Sequence, residues 1–343
     1  MTQKRTCAMI LAAGFGTRLK PLTLHRPKPL VEVLGQPLIS FALQNVHQAG
    51  YQEVVVNTHH LPEQFEKVLG TTYEGMKIHY SHEPQILDTG GGILQARNYL
   101  EHNQKNFLLV QGDVIADFNL ENLIKLHEEK KAWATLGLKK VDNLLGYGSV
   151  GIESDGRVRK IANWVPQYHK PLHEYFFCGL HVLSTQVFSE LEKFGKIFGI
   201  TNQVYPKWVV DHQPVFGLEL FGSYWDVGTP ERLWDVNHSL LSKQVQFAHL
   251  SAFRGLEEKQ PGIWISPQAV VDKSVQIKAP VLIKEHAVIE SGACIGPYVV
   301  VGKSAQIGAD TTLDNALVFS NTRIASNQKL SRCIIDDGLQ VSL

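Results

Sequence analysis

The chain has 343 residues, of which 44% are hydrophobic, so it is long enough for one large domain or two ordinary ones with a sizeable core. Its formal net charge of +0 argues against binding to nucleic acid or a membrane surface, and no apolar stretch approaches the roughly 18–20 residues of a membrane span. The cysteines (Cys7, Cys178, Cys294 and Cys333) form no CxxC pair, which is typical of reduced thiols in a cytoplasmic protein.

The first predicted element is a buried strand over 8–13, which leads directly into the loop GFGTRLKPLTLHRPKP. Gly14 and Gly16 allow a tight turn and let backbone N–H groups approach an anion closely. Arg18 and Lys28 add two positive charges, and the prolines between and beside them stiffen the loop. The loop is neither GxGxxG, because Leu19 replaces the last glycine, nor Walker A, because no GK[ST] follows. The pattern predicts a rigid cationic cradle for phosphates.

Strands and helices then alternate as far as residue 113. The helical segments are predicted over 38–49, 61–70 and 93–102, and the strands over 53–57, 77–81 and 106–113. This alternation predicts a doubly wound α/β sheet, in which ligands lie beyond the carboxyl ends of the strands. The glycine loop and Gly112–Asp113 both fall at such ends.

From about residue 133 strands predominate, so a mixed sheet is expected. They are predicted over 133–140, 147–153, 157–162 and 174–184. Asp155–Gly156 predicts a hairpin turn, and 201–213 predicts a helix with a proline kink. A strand that ends near Asp226 is followed by a helix that begins near Pro230.

Beyond a predicted linker over 243–262, the apolar period changes to six residues. The recurring positions are Ile265, Val271, Ile277, Ile283, Ile289, Ile295, Val301, Ile307 and Leu313. Mostly small residues lie four positions after each of them. A period of six indicates a hexapeptide solenoid, and the less regular tail over 319–343 is expected to close its end. We therefore predict domains over 1–242 and 263–343, joined by the linker.

The segment from Gly14 to Pro37 resembles the signature of the sugar-1-phosphate nucleotidylyltransferases, GxGTRLxPLTxxxPKPLxxxxGxP. The matching positions are Gly14, Gly16, Thr17, Arg18, Leu19, Pro21, Leu22, Thr23, Pro27, Lys28, Pro29, Leu30, Gly35 and Pro37. The resemblance covers 5–240 and, more loosely, the solenoid, which resembles a left-handed parallel β-helix. It implies an α/β fold with a doubly wound mixed sheet, followed by that β-helix. The implied reaction converts an NTP and a sugar 1-phosphate into an NDP-sugar and pyrophosphate, with Mg²⁺ as cofactor.

The resemblance also implies roles for individual residues. Arg18 and Lys28 are expected to be catalytic, because a planar guanidinium suits the β- and γ-phosphates and a compact ammonium suits the α-phosphate. Asp113 and Asp226 are implied as ligands of Mg²⁺, although either aspartate alone is also typical of a turn or a helix cap. The expected nucleotide contacts are Leu11, Ala13, Gly14, Gly16, Thr17, Glu83, Thr89, Gly90 and Gly91.

The segment EPQILDTGGG (83–92) resembles the family's LGTAG segment, with Asp88 in place of a glycine and Gly90 in place of alanine. Glu83 occupies the place of a base-reading residue, and the alternative interpretation is a solvated loop acid. The family's usual sugar-site lysine is missing, because Asn163-Trp164-Val165 stands there.

Lys170 or Glu174, together with Gly179, is expected to contact the sugar phosphate or hydroxyls in place of that lysine. Cys178 is predicted to be a buried thiol rather than a nucleophile.

The first expected substrates are GTP and mannose 1-phosphate, or a similar sugar phosphate. The alternatives are uridylyl transfer to an amino-sugar 1-phosphate and a non-catalytic regulatory subunit that binds NDP-sugar. An acyltransferase role for the solenoid is less favoured, because His286 is its only histidine. We expect the solenoid to serve assembly or regulation, which implies a homo-oligomer. The expected partners are the NTP and the sugar 1-phosphate, with no nucleic acid and no membrane.

Overall fold

The computed structural model describes residues 4–141, 149–162, 172–242 and 251–343. These residues form two compact units. The sheet unit comprises Met1–Phe15 with Ile39–Tyr224, and the coil unit comprises Gly16–Leu38 with Trp225–Leu343. Most of the signature loop thus belongs to the same unit as the hexapeptide repeats. The domain limits predicted from the sequence stay a prediction.

The strands up to the repeats include those predicted from the sequence and further short strands that were not predicted. They are β1 (Arg5–Leu11), β2 (Glu32–Val33), β3 (Gln36–Pro37), β4 (Tyr51–Thr58), β5 (Thr72–Tyr73), β6 (Met76–His82), β7 (Asn106–Gln111), β8 (Val114–Ala116), β9 (Ala134–Lys139), β10 (Ser149–Ile152), β11 (Val158–Ile161), β12 (His173–Ser184), β13 (Val215–Glu219) and β14 (Tyr224–Asp226).

The helices of the described residues are mostly short. The α-helices are α1 (Ile39–Gln48), α2 (Glu63–Leu69), α3 (Asp88–Gln95), α4 (Arg97–Leu100), α5 (Glu121–Lys130), α6 (Phe188–Leu191), α7 (Tyr205–Val210) and α8 (Pro230–Leu241). Single 3₁₀ turns cover Thr17–Leu19, Leu22–Leu24, Lys28–Leu30, Thr185–Val187, Glu192–Phe194 and Ser251–Phe253, and a π-helical turn covers Ile200–Val204. None of the helices within the described ranges combines the length and the apolar character that a membrane crossing requires.

The sheet unit is built on a mixed sheet with the strand order β11-β10-β12-β7-β1-β4-β6-β5, to which β9 and β13 are added. The strands β7, β1, β4 and β6 run parallel, and β12 runs antiparallel to β7. The central strands are apolar on both faces, as expected for parallel strands that helices cover. The predicted fold class is confirmed.

Two helix predictions differ from the structure. The helix predicted over 93–102 is two helices in the structure. The first, α3, begins earlier, at Asp88, and includes Thr89 to Gly92 in its first turns. The second, α4, ends at Leu100. In the other prediction, the proline of 201–213 makes no kink: it lies in the first turn of α7, after a π-helical turn. The fixed φ of a proline, about −65°, is compatible with the first turn of a helix, so Pro206 fits there without bending α7.

Two histidines are buried in the sheet unit. His127 contacts Thr135 Oγ1 at 3.0 Å and Asn106 Oδ1 at 3.2 Å, and His181 contacts the Tyr205 hydroxyl at 2.5 Å. Burial lowers the pKa of His127 to about 4 and that of His181 to about 3. Both rings are therefore neutral in the folded protein at pH 7.

We expect the free energy of unfolding to fall as the pH drops from about 6.5 towards 4. The unfolded chain binds protons on these histidines in that range and the folded chain does not, so each contributes about 1.4 kcal/mol per pH unit. The free energy of unfolding of His127→Gln, measured with denaturant at several pH values, should change less with pH, by that amount per pH unit. His286→Gln is the control, because this histidine is exposed. An equal pH dependence of the free energy of unfolding in wild type and His127→Gln would contradict this prediction.

The repeats form a stack of coils. Their strands are β15 (Glu257–Gln260), β16 (Ile263–Ile265), β17 (Val270–Val271), β18 (Gln276–Ile277), β19 (Val281–Ile283), β20 (Val288–Ile289), β21 (Cys294–Ile295), β22 (Val299–Val301), β23 (Gln306–Ile307), β24 (Thr312–Val318), β25 (Arg323–Ile324), β26 (Lys329–Asp336) and β27 (Leu339–Ser342).

The first coils take 18 residues each, which are three hexapeptides, whereas the last coil is one residue shorter, because Val300 pairs with Leu317 and Gln306 with Arg323. Ile263 pairs in parallel with Val281, and Val281 pairs with Val299, while the other two faces repeat the same spacing. The apolar residues predicted from the period of six, from Ile283 to Leu313, are buried in one continuous core. The β-helix is thereby confirmed. As predicted, the tail closes the end, because β27 turns back antiparallel to β26.

Candidate active site

The signature loop is a compact structure with its own hydrogen bonds. Gly16 adopts a left-handed conformation with φ of 61°, and its carbonyl accepts hydrogen bonds from Leu19 N at 3.0 Å and Thr23 Oγ1 at 2.9 Å. A further bond from Val31 N to Lys28 O at 3.1 Å closes the last turn. The rigidity that the prolines predict is therefore reinforced by the backbone itself.

Gly16 and Lys28 are in direct contact inside the coil unit. A Cβ on Gly16 would lie 2.6 Å from Lys28 Cβ and 3.1 Å from Thr23 Cγ2. Lys28 is only 7% exposed, so its aliphatic stem is fixed by packing. The structure thus brings together two residues that the sequence places twelve positions apart in the loop.

Arg18 and the WDVGT turn also meet within the coil unit. A Cβ on Gly228 would lie 3.3 Å from Arg18 Cζ, so the guanidinium lies against the turn that follows Asp226. Asp226 Oδ2 accepts a hydrogen bond from Arg232 Nη1 at 2.6 Å. Thr229 caps α8 by accepting from Arg232 N at 3.3 Å. The guanidinium of Arg18 therefore lies against the turn at Gly228, and Arg232 holds the carboxylate of Asp226 at the start of that turn.

In the sheet unit, the predicted residues follow parallel strands. Ala13 and Gly14 come after β1, of which Leu11 is the last residue; Glu83 comes after β6, and Asp113 comes after β7. Because these strands run parallel, their carboxyl ends share one edge of the sheet. The β1 and β7 ends are joined by the bond from Gly112 N to Leu11 O at 2.9 Å. This is the edge at which the sequence predicts a ligand.

Glu83 is completely buried, so the alternative interpretation as a solvated loop acid is wrong. Its Oε1 accepts from Asn57 Nδ2 at 2.7 Å, and its Oε2 accepts from Leu87 N at 3.0 Å. Asn57 Oδ1 in turn accepts from Ala12 N at 2.7 Å. This chain of bonds fixes the backbone beside the glycine loop to the segment that precedes α3. Contact of Glu83 with a base stays a prediction.

The TGGG segment packs against the protein itself. Gly90 N and Gly91 N both donate to Phe198 O, at 2.8 and 3.3 Å, and Thr89 Oγ1 accepts from Ile200 N at 2.9 Å. A Cβ on Gly90 would overlap the Phe198 ring, and one on Gly91 would overlap Lys196 O. These glycines are required by close packing of 196–198 on α3. Their contact with a nucleotide stays a prediction.

The residues predicted to contact the sugar phosphate are Glu174, Gly179 and Lys170, and the structure describes the first two of them. Glu174 lies on β12, where its Oε1 accepts from Lys160 Nζ at 2.6 Å. Gly179 adopts φ of 71° beside the Gln111 side chain at the end of β7, where a Cβ would overlap it. Lys170 and the segment 163–165 lie outside the described residues.

Cys178 is fully buried on β12, and burial raises the pKa of its thiol to about 12. A thiol that stays protonated at neutral pH is a poor nucleophile. The prediction of a buried thiol is confirmed.

Sequence reasoning missed Asn57, Gln111 and Arg232. Asn57 and Arg232 hydrogen-bond to the predicted residues Glu83 and Asp226, and the Gln111 side chain lies close to Gly179. Asn57 and Gln111 are polar residues near the carboxyl ends of apolar strands. That position could have identified them from the sequence, because ligands bind at the carboxyl ends of parallel strands. Arg232 had no signal, because a charged residue in the first turn of a surface helix is ordinary.

Two models of known protein families match this chain. The family model described as Nucleotidyl transferase matches residues 7–243, and the model described as GMPPB C-terminal domain matches residues 277–342. This chain belongs to the nucleotidyl transferase family. It is therefore classed as a nucleotidyltransferase, as the sequence predicts.

Individual relatives are about 30% identical to this nucleotidyltransferase. A UTP–glucose-1-phosphate uridylyltransferase of Synechocystis sp. is 27% identical over 337 residues, which cover 94% of this chain and 85% of the relative. A mannose-1-phosphate guanylyltransferase catalytic subunit beta of Drosophila pseudoobscura pseudoobscura is 30% identical over 66% of this chain and 60% of its own length. A mannose-1-phosphate guanyltransferase of Gibberella zeae is 32% identical over 65% and 61%. The match thus spans about three fifths of these two guanylyltransferases.

Proposed function

We propose that the protein transfers a nucleotidyl group from an NTP to a sugar 1-phosphate. A phosphate oxygen of the sugar 1-phosphate forms a bond to the α-phosphorus, and the bond from that phosphorus to the bridging oxygen of pyrophosphate breaks. The observation that carries the proposal is the rigid loop that fixes the Lys28 stem against Gly16 and sets Arg18 beside the Asp226 turn.

The reaction gathers negative charge, so positioning and neutralisation are the main tasks of the protein. Arg18 offers a planar fork of N–H donors suited to the β- and γ-phosphates. The ammonium of Lys28 offers a compact charge for the α-phosphate, where charge builds up during the transfer. The backbone from Gly14 to Thr17 adds N–H groups that approach an anion without hindrance.

Magnesium is the proposed cofactor, with Asp113 and Asp226 as its protein ligands. Within the described ranges, no three His, Cys, Asp or Glu side chains gather into a metal cluster. Either carboxylate is chemically suited to Mg²⁺, which commonly uses one or two carboxylates and completes its shell with water and phosphate oxygens. Arg232 orients Asp226 through one carboxylate oxygen. When bound, the ion would neutralise phosphate charge.

We expect Asp226→Asn to weaken the dependence of turnover on Mg²⁺, so that half-saturation requires about tenfold more metal. Asparagine preserves the shape of the side chain and removes its charge. A magnesium titration of the rate at saturating NTP provides the measurement. Asp235→Asn, on the exposed side of α8, the helix that follows the Asp226 turn, is the matched control. An unchanged titration curve for Asp226→Asn would exclude this residue from the metal site.

Two kinds of nucleotidyl transfer are proposed. GTP with mannose 1-phosphate, or with a similar hexose or heptose phosphate, comes first, because a guanylyltransferase is 30% identical over 66% of the chain and the tail matches the GMPPB C-terminal domain. Uridylyl transfer is the alternative, whether to an amino-sugar 1-phosphate, as the sequence signature suggests, or to glucose 1-phosphate. The relative that aligns with nearly the whole chain is named for uridylyl transfer to glucose 1-phosphate.

Pyrophosphate release identifies the substrates. The protein is incubated with each of the four common NTPs and a panel of hexose, amino-sugar and heptose 1-phosphates in the presence of Mg²⁺. We expect release that requires both substrates, with one pair preferred. Binding of an NDP-sugar without turnover of any pair would instead favour the regulatory subunit. A cytoplasmic location and a homo-oligomer formed through the coils remain proposals.

A further inference from the structure

We propose that the last coils position the signature loop through a cluster of four residues, Arg26, Glu32, Ser320 and Asp336, which we call the loop anchor. This inference rests on the proposed function, because it assigns positioning residues for Arg18 and Lys28. Arg26 and Glu32 occupy variable positions of the family signature, whereas Ser320 and Asp336 lie some 300 residues later in the coils. All of them belong to the coil unit.

The first half of the loop anchor is a bidentate ion pair. Arg26 Nη2 donates to Asp336 Oδ1 at 2.8 Å, and Arg26 Nε donates to Asp336 Oδ2 at 3.2 Å. The guanidinium also lies 5.5 Å from the centre of the Phe319 ring. Both side chains are more than three-quarters buried, so water screens this pair less than a surface pair.

The second half is the carboxylate of Glu32. It accepts from Ser320 N at 3.1 Å and from Ser320 Oγ at 3.0 Å, and Arg26 Nη1 lies 3.6 Å away. Burial raises the pKa of Glu32, and Arg26 and the Ser320 donors oppose that rise. A buried carboxylate with these partners ties β2 to the turn after β24, because each lost partner would leave a buried group unsatisfied.

The β2–β3 hairpin makes two neighbouring contacts that also hold this segment in place. Leu34 N donates to Asn237 Oδ1 at 2.7 Å, and Gly35 leaves room for the Lys284 stem, whose Cγ lies 2.7 Å from where a Cβ would be. Lys284 Nζ in turn donates to Ala252 O at 2.9 Å. The hairpin is therefore fixed to α8 and to the coils at separate points.

The loop anchor brackets Lys28. Arg26 precedes it by two residues, with the rigid Pro27 between them, and Glu32 follows the turn that the bond from Val31 N to Lys28 O closes. A shift of either end of this short segment displaces the Lys28 backbone. Reacting groups require placement within a fraction of an ångström, so loss of the anchor should cost turnover even though no anchor residue touches substrate.

The test compares Arg26→Gln, Asp336→Asn and the double variant in the full-length protein. Asp314→Asn is the matched control, because this carboxylate also lies in the coils but pairs with Ser331. We expect each single change to lower kcat with the preferred substrate pair about tenfold and the double variant to be no slower than the slower single variant. Asp336→Glu, which keeps the charge, should recover part of the loss.

Hydrogen exchange of the amides over 19–31 gives a second readout that needs no turnover. We expect faster exchange there in Asp336→Asn than in the wild type or Asp314→Asn. A lowered melting temperature with kcat and loop exchange unchanged would reduce the anchor to a merely structural role and overturn the inference. Additive effects of the two single changes would also overturn it. A wild-type protein without turnover would instead refute the proposed function, and loop exchange would still decide the anchor.

Discussion

Replacing Lys28 with alanine is expected to lower turnover by about 10²–10³, the usual cost of removing one preorganised partner of transition-state charge. Lys28 is 7% exposed and its stem packs on Gly16, so its ammonium needs little reorganisation when charge develops on the α-phosphate. The measurement is kcat for pyrophosphate release at saturating concentrations of both substrates.

Lys20→Ala is the matched control for Lys28→Ala. Lys20 carries the same charge in the same loop, but its side chain is exposed. A change of at most a few-fold is expected, since an exposed charge is well solvated. If Lys28→Ala and Lys20→Ala had the same modest effect, Lys28 would be a member of a diffuse positive field and not a catalytic residue.

Gly16→Ala should be almost as severe, with kcat/KM for the NTP reduced by about 10². The substitution adds a methyl group 2.6 Å from Lys28 Cβ, where backbone on both sides of the contact is held by hydrogen bonds. Alanine at φ of 61° adds strain of about 1 kcal/mol. Lys28 must therefore move, and its charge moves with it.

Gly255→Ala separates the two causes of that loss. Gly255 also lies in the coil unit and has φ of 75°, but a Cβ there meets no atom within 4 Å. It should lower the melting temperature slightly and leave kcat unchanged. If Gly16→Ala behaved like Gly255→Ala, the close contact between Gly16 and Lys28 would have no catalytic importance.

The features that the sequence predicted well are those with a local cause. The period of six predicted the coils, because each hexapeptide buries its apolar residue in the same way as the next. The prolines and Gly16 predicted a stiff loop, because the fixed φ of proline and the tight turn at glycine are also local effects. The loop anchor was not predictable, because Asp336 stabilises Arg26 across 310 residues and neither position follows a repeat or a motif.

The glycines of 90–92 show a different limit of sequence reasoning. Three consecutive glycines usually indicate a loop, yet here they lie within the first two turns of α3. The reason is tertiary: the segment 196–198 approaches so closely that side chains at Gly90 and Gly91 would overlap it, and one at Gly92 would overlap the Asn57–Glu83 pair. Packing therefore overrides the low helix propensity of glycine. The burial of Glu83 was missed for a similar reason, since its partner Asn57 lies on another strand.

The most direct test of the proposed function is the fate of an α-labelled NTP. The labelled nucleotide is incubated with Mg²⁺ and the preferred sugar 1-phosphate, and the label and the pyrophosphate are counted over time. We predict that one labelled NDP-sugar appears for each pyrophosphate, that neither forms without the sugar 1-phosphate, and that Lys28→Ala slows both equally. Release of pyrophosphate without labelled NDP-sugar, or full activity of Lys28→Ala, would contradict nucleotidyl transfer by this loop.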